Sequence, residues 1–122
     1  MLRLVNHADY KTIDDWYLSR GQNTLRQFPK LGYIMPGVAA GFVYQTDSDI
    51  CLVEGFVSNP KAPARKVFKA FDSITIACLK TSGAMGYTRV FAFTQKRSIK
   101  SLALRHCFTS RGDFMIFEKE MN

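Results

Sequence analysis

The sequence lacks what a membrane span, a disulfide framework or a metal centre requires. No apolar run approaches the roughly 20 residues that cross a bilayer, and Met1–Val5 gives way to polar residues rather than to a signal-peptide core. The expectation is a cytoplasmic chain with no membrane partner. Cysteine is sparse: Cys51, Cys78 and Cys107 are odd in number, lack C-x-x-C spacing and fall on predicted strand and helix positions. Buried reduced thiols are therefore expected, and no metal site. His7 and His106 have no ligand spacing and no Ser or Cys–Asp pattern beside them, which leaves surface or capping roles. Acids are nearly missing from one half. From Asn59 to Arg111 there are 11 Lys and Arg against one acid, Asp72, while the other residues carry 6 basic and 9 acidic groups. A net charge of +7 distributed in this way favours a polyanion, or else forms a solvated basic face.

What is present fits one globular domain, residues 1–122, with 47% apolar and 22% charged residues and no repeat or linker. Leu2–Val5 reads as a short strand. Asp9 or Thr12 is the expected cap of a helix through Ile13, Trp16, Tyr17 and Leu18, closed by Arg20-Gly21. Trp16 and Tyr17 read as core or pocket wall. Another short helical piece is expected within Gln22–Lys30, with Leu25 and Phe28 inward. Leu31–Met35 and Val38–Gln45 read as strands, broken at Pro36-Gly37 and ended by the turn Thr46–Asp49.

Ile50–Val57 is apolar enough for a strand buried on both faces. Two prolines in Asn59–Pro63 break it. From Ala64, apolar residues at Val67, Phe71, Ile74 and Cys78, with Phe68 and Leu79 alongside, mark one helix face ending near Gly83 and Gly86. Arg89–Thr94 returns as a strand, which makes a parallel βαβ unit after an antiparallel meander. Anions sit where such a first strand feeds its helix, because free N–H groups and the helix dipole point there. A short helix follows, and Phe114–Glu118 alternates weakly as a last strand.

Gly86-Tyr87-Thr88-Arg89-Val90-Phe91, followed by Ser98–Phe108 with its terminal Cys107-Phe108, resembles the fifth strand and following helix of the GNAT N-acetyltransferase superfamily. The compact length is similar to that of GNAT-like proteins carried by phages. The resemblance implies an α/β fold, a mixed and mostly antiparallel twisted sheet with a central βαβ unit and flanking helices. It further implies acetyl-CoA as co-substrate and an amine as acceptor, whose identity the sequence does not give. The family's phosphate loop, R-x-x-G-x-G/A, corresponds to Asn59–Lys66, which holds no glycine. Lys61, Ala64, Arg65 and Lys66 are then the expected phosphate contacts, with side chains replacing part of the loop's backbone donors.

On the same resemblance, backbone groups at Phe56 and Val57 would polarise the thioester, and Gln95 and Ser98, the latter as a helix N-cap, would lie near the coenzyme. Glu54 stands mid-strand among apolar neighbours, where a carboxylate is costly unless partnered and titrates higher than usual. It is the candidate general base, or else a solvent-facing edge residue or a partner for one of the basic side chains. The family's usual tyrosine acid is replaced by Ala103, so Tyr87 or water would have to serve. Two other readings stay open. One is a catalytically inactive shell that binds nucleic acid or protein; the other is an enzyme of this fold that modifies a nucleobase.

Overall fold

Alternating apolar residues from Leu31 onward build a meander, and the computed structural model, which describes residues 1–25, 27–94, 96–112 and 119, extends it to a five-stranded sheet. The strands are β1 (Arg3–Leu4), β2 (Leu31–Met35), β3 (Ala39–Tyr44), β4 (Ile50–Ser58) and β5 (Arg89–Phe91), side by side in that order. The first four pair antiparallel; β4 and β5 pair parallel. The described helices are α1 (Tyr10–Ser19), α2 (Ala64–Ala84), which makes the crossover from β4 to β5, and α3 (Arg97–Arg105). The mixed sheet and its βαβ unit are those expected. The chain forms two compact units, Met1–Ala92 with the sheet, α1 and α2, and Phe93–Asn122 with α3. The expected strand over 114–118 lies outside the described residues. No described helix is long and apolar enough to cross a membrane.

Alternation on β3 divides the core of the first unit between two sheet faces. Ala40 and Phe42 pack with Ile34, Val57 and the α1 residues Ile13, Trp16 and Tyr17. Ala39 and Val43 pack with Cys51, Val53 and the α2 residues Ala70, Ile74 and Cys78. Burying one such Phe, Ile or Val contributes about 1.5–3 kcal/mol, so both helices are held chiefly by these contacts. Tyr33 in β2 adds a polar tie, its hydroxyl 2.6 Å from Thr81 Oγ1 on α2.

The strict period of two fails in β4. Phe42 pairs with Glu54 but Ala40 pairs with Val57, so two steps on β3 oppose three on β4. The extra residue is a bulge at Gly55, whose φ of +73° lies in the left-handed region. Before it, Cys51 and Val53 face α2; after it, Phe56 packs towards α2 and Val57 towards α1. The expectation of a strand buried on both faces is thus only half met: Leu52 and Glu54, on the α1 face, are half-buried.

The buried stripe of α2 runs through Ala70, Ile74, Thr75, Cys78 and Ser82, several of them too small or too polar to register in the apolar pattern. Their hydroxyls are satisfied within the helix, Thr75 Oγ1 donating to Phe71 O at 2.8 Å and Ser82 Oγ to Cys78 O at 2.7 Å. Cys51 Sγ in turn donates to Ser82 Oγ at 3.4 Å. Burial, with the neighbouring Cys51 thiol, pushes the Cys78 thiol up to about 12, which leaves it unreactive at neutral pH. Phe68, expected alongside the inward face, is 46% exposed.

All three helices end in the same Schellman arrangement. Gln22 N–H reaches Tyr17 O at 2.9 Å, Tyr87 N–H reaches Ser82 O at 3.2 Å and Phe108 N–H reaches Ala103 O at 3.0 Å. The left-handed residue is glycine twice, Gly21 and Gly86, but Cys107 at φ +66° in the third. Cys107 is also exposed, a correction to the expectation of three buried thiols: a residue just past a helix end has no neighbour turn to bury it. An L-residue in this region costs about 1–2 kcal/mol, partly offset by the larger unfolded-state entropy of glycine. Cys107→Gly is therefore expected to stabilise the protein by about 0.5–1 kcal/mol, as the midpoint shift in a denaturant titration. A loss of stability would mean that the thiol makes contacts outweighing the strain.

Two local expectations change and a third is refined. The segment 22–30 has no helix among its described residues; Phe28 is nonetheless buried, stacked on Tyr10 at 4.4 Å. Asp9, one of the two expected caps, is the N-cap of α1 by position but makes no side-chain cap bond there, and Asn6 caps a short 3-10 turn (His7–Asp9) ahead of it. The Asn6 side chain accepts from Ala8 N–H, while Asp9 accepts from Asn6 N–H at 2.8 Å. Two hydrogen bonds from the Arg3 guanidinium, at 2.7 and 2.8 Å, hold the Asp9 carboxyl below its ordinary range. Lastly, β5 stops at Phe91 rather than Thr94, because pairing with β4 ends at Leu52, ahead of the bulge.

Candidate functional site

At the β4–α2 junction the strand keeps its antiparallel partner to Ser58 but has no parallel partner beyond Leu52 among the described residues. One edge of Val53–Ser58 therefore carries main-chain groups not used in the ladder. Phe56 and Val57, the predicted thioester contacts, lie on this segment just past the bulge, the first half-buried and the second buried.

The turn that follows is shaped by Asn59, a residue the sequence reading passed over. Its N–H donates to Val38 O at 2.8 Å and its Nδ2 to Gly37 O at 2.9 Å, which fastens the turn to the β2–β3 connection. Its Oδ1 accepts from Lys61 N–H at 3.0 Å, an Asx-turn, and its carbonyl accepts from Ala62 N–H at 3.0 Å. The signal was the Asn-Pro pair. A side-chain amide thus does the shaping for which glycines are used elsewhere.

Pro63 is the N-cap of α2, extended at φ −61° and ψ 141°, with no side-chain cap. The first N–H used inside the helix is that of Val67, donating to Pro63 O at 3.1 Å. The N–H groups of Ala64, Arg65 and Lys66 precede it, so they point out of the helix start with the positive dipole end behind them. Lys61, Arg65 and Lys66 are exposed around the same point. Four predicted residues, Lys61, Ala64, Arg65 and Lys66, are thus brought together in a geometry that suits a phosphate or diphosphate. Arg20, at the end of α1, adds a guanidinium nearby, its Nη2 donating to Ser58 Oγ at 2.6 Å, one residue before Asn59.

Glu54 immediately precedes the bulge, half-buried on the α1 face. Tyr17 of α1 donates its hydroxyl to Gly55 O at 2.6 Å. A Cβ built on Gly55 would sit 3.1 Å from the Tyr17 hydroxyl and 3.3 Å from that of Tyr44, so both phenols crowd the bulge. Burial raises the Tyr44 pKa, and the Glu54 charge raises it further. The Tyr17 phenol is pushed well above its usual range, first by burial and then by the Tyr44 and Asp14 charges. At neutral pH both phenols are therefore neutral.

Gln95 lies outside the described residues. Ser98 is exposed within α3, whose N-cap is Lys96 rather than Ser98, so the expected capping role is not the one observed. The reason is local: Thr94 Oγ1 accepts Lys96 N–H at 3.0 Å and starts the helix early. Tyr87, considered as an acid, has its hydroxyl committed. It accepts from Thr46 N–H at 3.2 Å and donates to Thr46 O at 3.0 Å, which ties β5 to the β3–β4 turn.

No protein-family model matches the chain, and no curated protein matches it in sequence. Solved structures match its fold along nearly the whole length. An acetyltransferase from Trypanosoma brucei superposes with a TM-score of 0.69 at 12% identity, covering 98% of this chain and 99% of its own. Rv2747 from Mycobacterium tuberculosis, solved in complex with CoA, gives 0.72 at 15% identity over 96% of this chain and 76% of its own. The aminoglycoside N-acetyltransferase AAC(6')-Iy, also solved with CoA, gives 0.61 at 14% identity over 99% of this chain and 100% of its own. The chain therefore has the fold of these acetyltransferases, the GNAT fold that its order of elements resembles. At such identities the likeness carries the fold; the chemistry has to be argued from the site.

Proposed function

We propose that this protein transfers an acetyl group from acetyl-CoA to an amine. The observation that carries the reading is the β4–α2 junction, where a strand half-released from its neighbour feeds a helix start ringed by Lys61, Arg65 and Lys66. Two kinds of group suit the coenzyme there: first-turn N–H groups and basic side chains for its phosphates, and the edge of β4 beyond Leu52, where the parallel ladder ends among the described residues, for the amides of its arm. Acetyl-CoA supplies the acetyl group as an activated thioester. Backbone N–H groups at Phe56 and Val57 would polarise the thioester oxygen. Glu54 would accept the proton that the amine loses as the new N–C bond replaces the C–S bond, directly or through one water. With Ala103 at the family's tyrosine position and Tyr87 fastened to Thr46, the departing sulfur would take its proton from water.

One titration series tests the reading. Acetyl-CoA should bind at a single saturable site and raise the thermal midpoint. Arg65→Ala should weaken binding about three- to tenfold, the effect of losing one largely exposed phosphate contact. If the basic residues instead serve nucleic acid, affinity for duplex or single-stranded DNA should fall steeply with salt as several counterions are released. No heat and no thermal shift with millimolar acetyl-CoA would sink the acetyltransferase reading.

A further inference from the structure

Two phenols from different elements lean over the β4 bulge, and only one has an evident task. Tyr17 gives its proton to Gly55 O at 2.6 Å, which fixes α1 against the bulge. Tyr44 comes from the other side. In the β3–β4 register Phe42 lies opposite Glu54 and Tyr44 opposite Leu52, so Tyr44 and Glu54 are diagonal neighbours on the α1 face. A diagonal pair of this kind is within reach of an aromatic side chain. The Tyr44 hydroxyl stands 3.3 Å from the point where Gly55 would carry a Cβ, so the ring extends along β4 towards residues 54 and 55. This reach is close against the bulge glycine, since a methyl group there would press on both phenols.

We propose that Tyr44 is a positioning residue for Glu54: its phenol, laid across the bulge, stabilises the carboxylate form and fixes where that carboxylate points. The inference rests on the reading of Glu54 as base, and it assigns to Tyr44 a task on the acceptor side rather than the thiol-protonating task of a tyrosine acid. A neutral phenol that donates to, or orients its dipole at, a carboxylate favours the charged form. Burial and the Glu54 charge both keep the Tyr44 phenol protonated, so its O–H is available as a donor. The charged and titratable groups on the elements packed beside this part of β4 include Tyr17 and Asp14 on α1, with Asp14 acting on the Tyr17 phenol, and Arg89 on β5, in register with Ile50.

The test is Tyr44→Phe, which keeps the ring and its packing. The chain has three glutamates, Glu54, Glu118 and Glu120, so 13C-labelled glutamate gives three carboxyl titrations, with Glu54 assigned through Glu54→Gln. The Glu54 midpoint should rise by about one pH unit in Tyr44→Phe, while the other two stay fixed. The acid limb of kcat/KM for acetyl transfer to a simple primary amine should move up by the same amount. An unmoved Glu54 titration in a folded Tyr44→Phe protein overturns the role of Tyr44 and leaves Glu54 as a base. A titration that moves while the acid limb does not shows that Glu54 carries no proton in the reaction. That overturns the positioning role together with the base assignment.

Discussion

Gly55→Ala is expected to cost about 2–4 kcal/mol, from about 1–2 for an L-residue at a left-handed φ and about 1–3 for overpacking. The backbone there sits at φ +73°, and the new methyl would lie 3.1 Å from the Tyr17 hydroxyl and 3.3 Å from both Phe42 Cδ2 and the Tyr44 hydroxyl. Phe42 is fully buried and cannot withdraw. The phenols can shift, but only by giving up the Tyr17–Gly55 hydrogen bond and the approach of Tyr44 to Glu54. A chain of this size loses roughly 3–6 °C of thermal midpoint per kcal/mol, so a drop of about 10 °C is the expected reading. Gly55→Asn should recover part of the loss, since Asn tolerates the left-handed region but still brings a Cβ. An alanine variant as stable as the parent would show that β4 can return to regular alternation. Residues 56 to 58 would then exchange faces, and the junction described above would not exist.

The bulge also marks the boundary of what the sequence discloses. The meander, the crossover and the parallel return were legible because alternation and the three-to-four periodicity are set by apolar residues, and these dominate Leu31–Val57 and Val67–Leu79. The segment Glu54-Gly55-Phe56-Val57 reads as a continuous strand, yet it contains the extra residue that decides which face each side chain takes. An isolated glycine inside a strand was the available signal. Without it, the orientation of Glu54 and the nearness of Tyr44 and Tyr17 were out of reach, although all three residues were visible as residue types.

The segment 22–30 fails for a different reason. Leu25 and Phe28 are three apart, as on a helix face, but Gly21 has already ended α1 in the left-handed conformation, and Pro29 follows. Phe28 is placed by stacking on Tyr10 rather than by a helix of its own, with Leu25 N–H held at 3.4 Å by the Asp14 carboxylate. The placement of Lys61, Arg65 and Lys66 at the helix start was readable because it depends on little beyond the junction itself. A strand feeding a helix, with Lys61, Arg65 and Lys66 around the first turn, places those groups together whatever the core does.

Glu54→Gln is expected to lower turnover about 10²–10⁴-fold, the usual contribution of a positioned general base, while acetyl-CoA affinity changes by less than about twofold. The separation follows from position. Glu54 lies on the α1 face before the bulge, whereas the groups assigned to the phosphates lie after Ser58, on the turn and the first turn of α2. Glutamine keeps the shape and hydrogen-bonding reach of the side chain but cannot take a proton, so the loss should fall on kcat and kcat/KM alike. The pH profile gives a second reading. A base must be ionised, so the parent enzyme should lose activity as pH falls through the Glu54 midpoint, and the residual activity of the variant should lack that limb. If the variant lost acetyl-CoA binding with turnover, Glu54 would be shaping the coenzyme site instead. If it kept full turnover, the amine would have to arrive already deprotonated, and Tyr44 would be facing a structural carboxylate rather than a catalytic one.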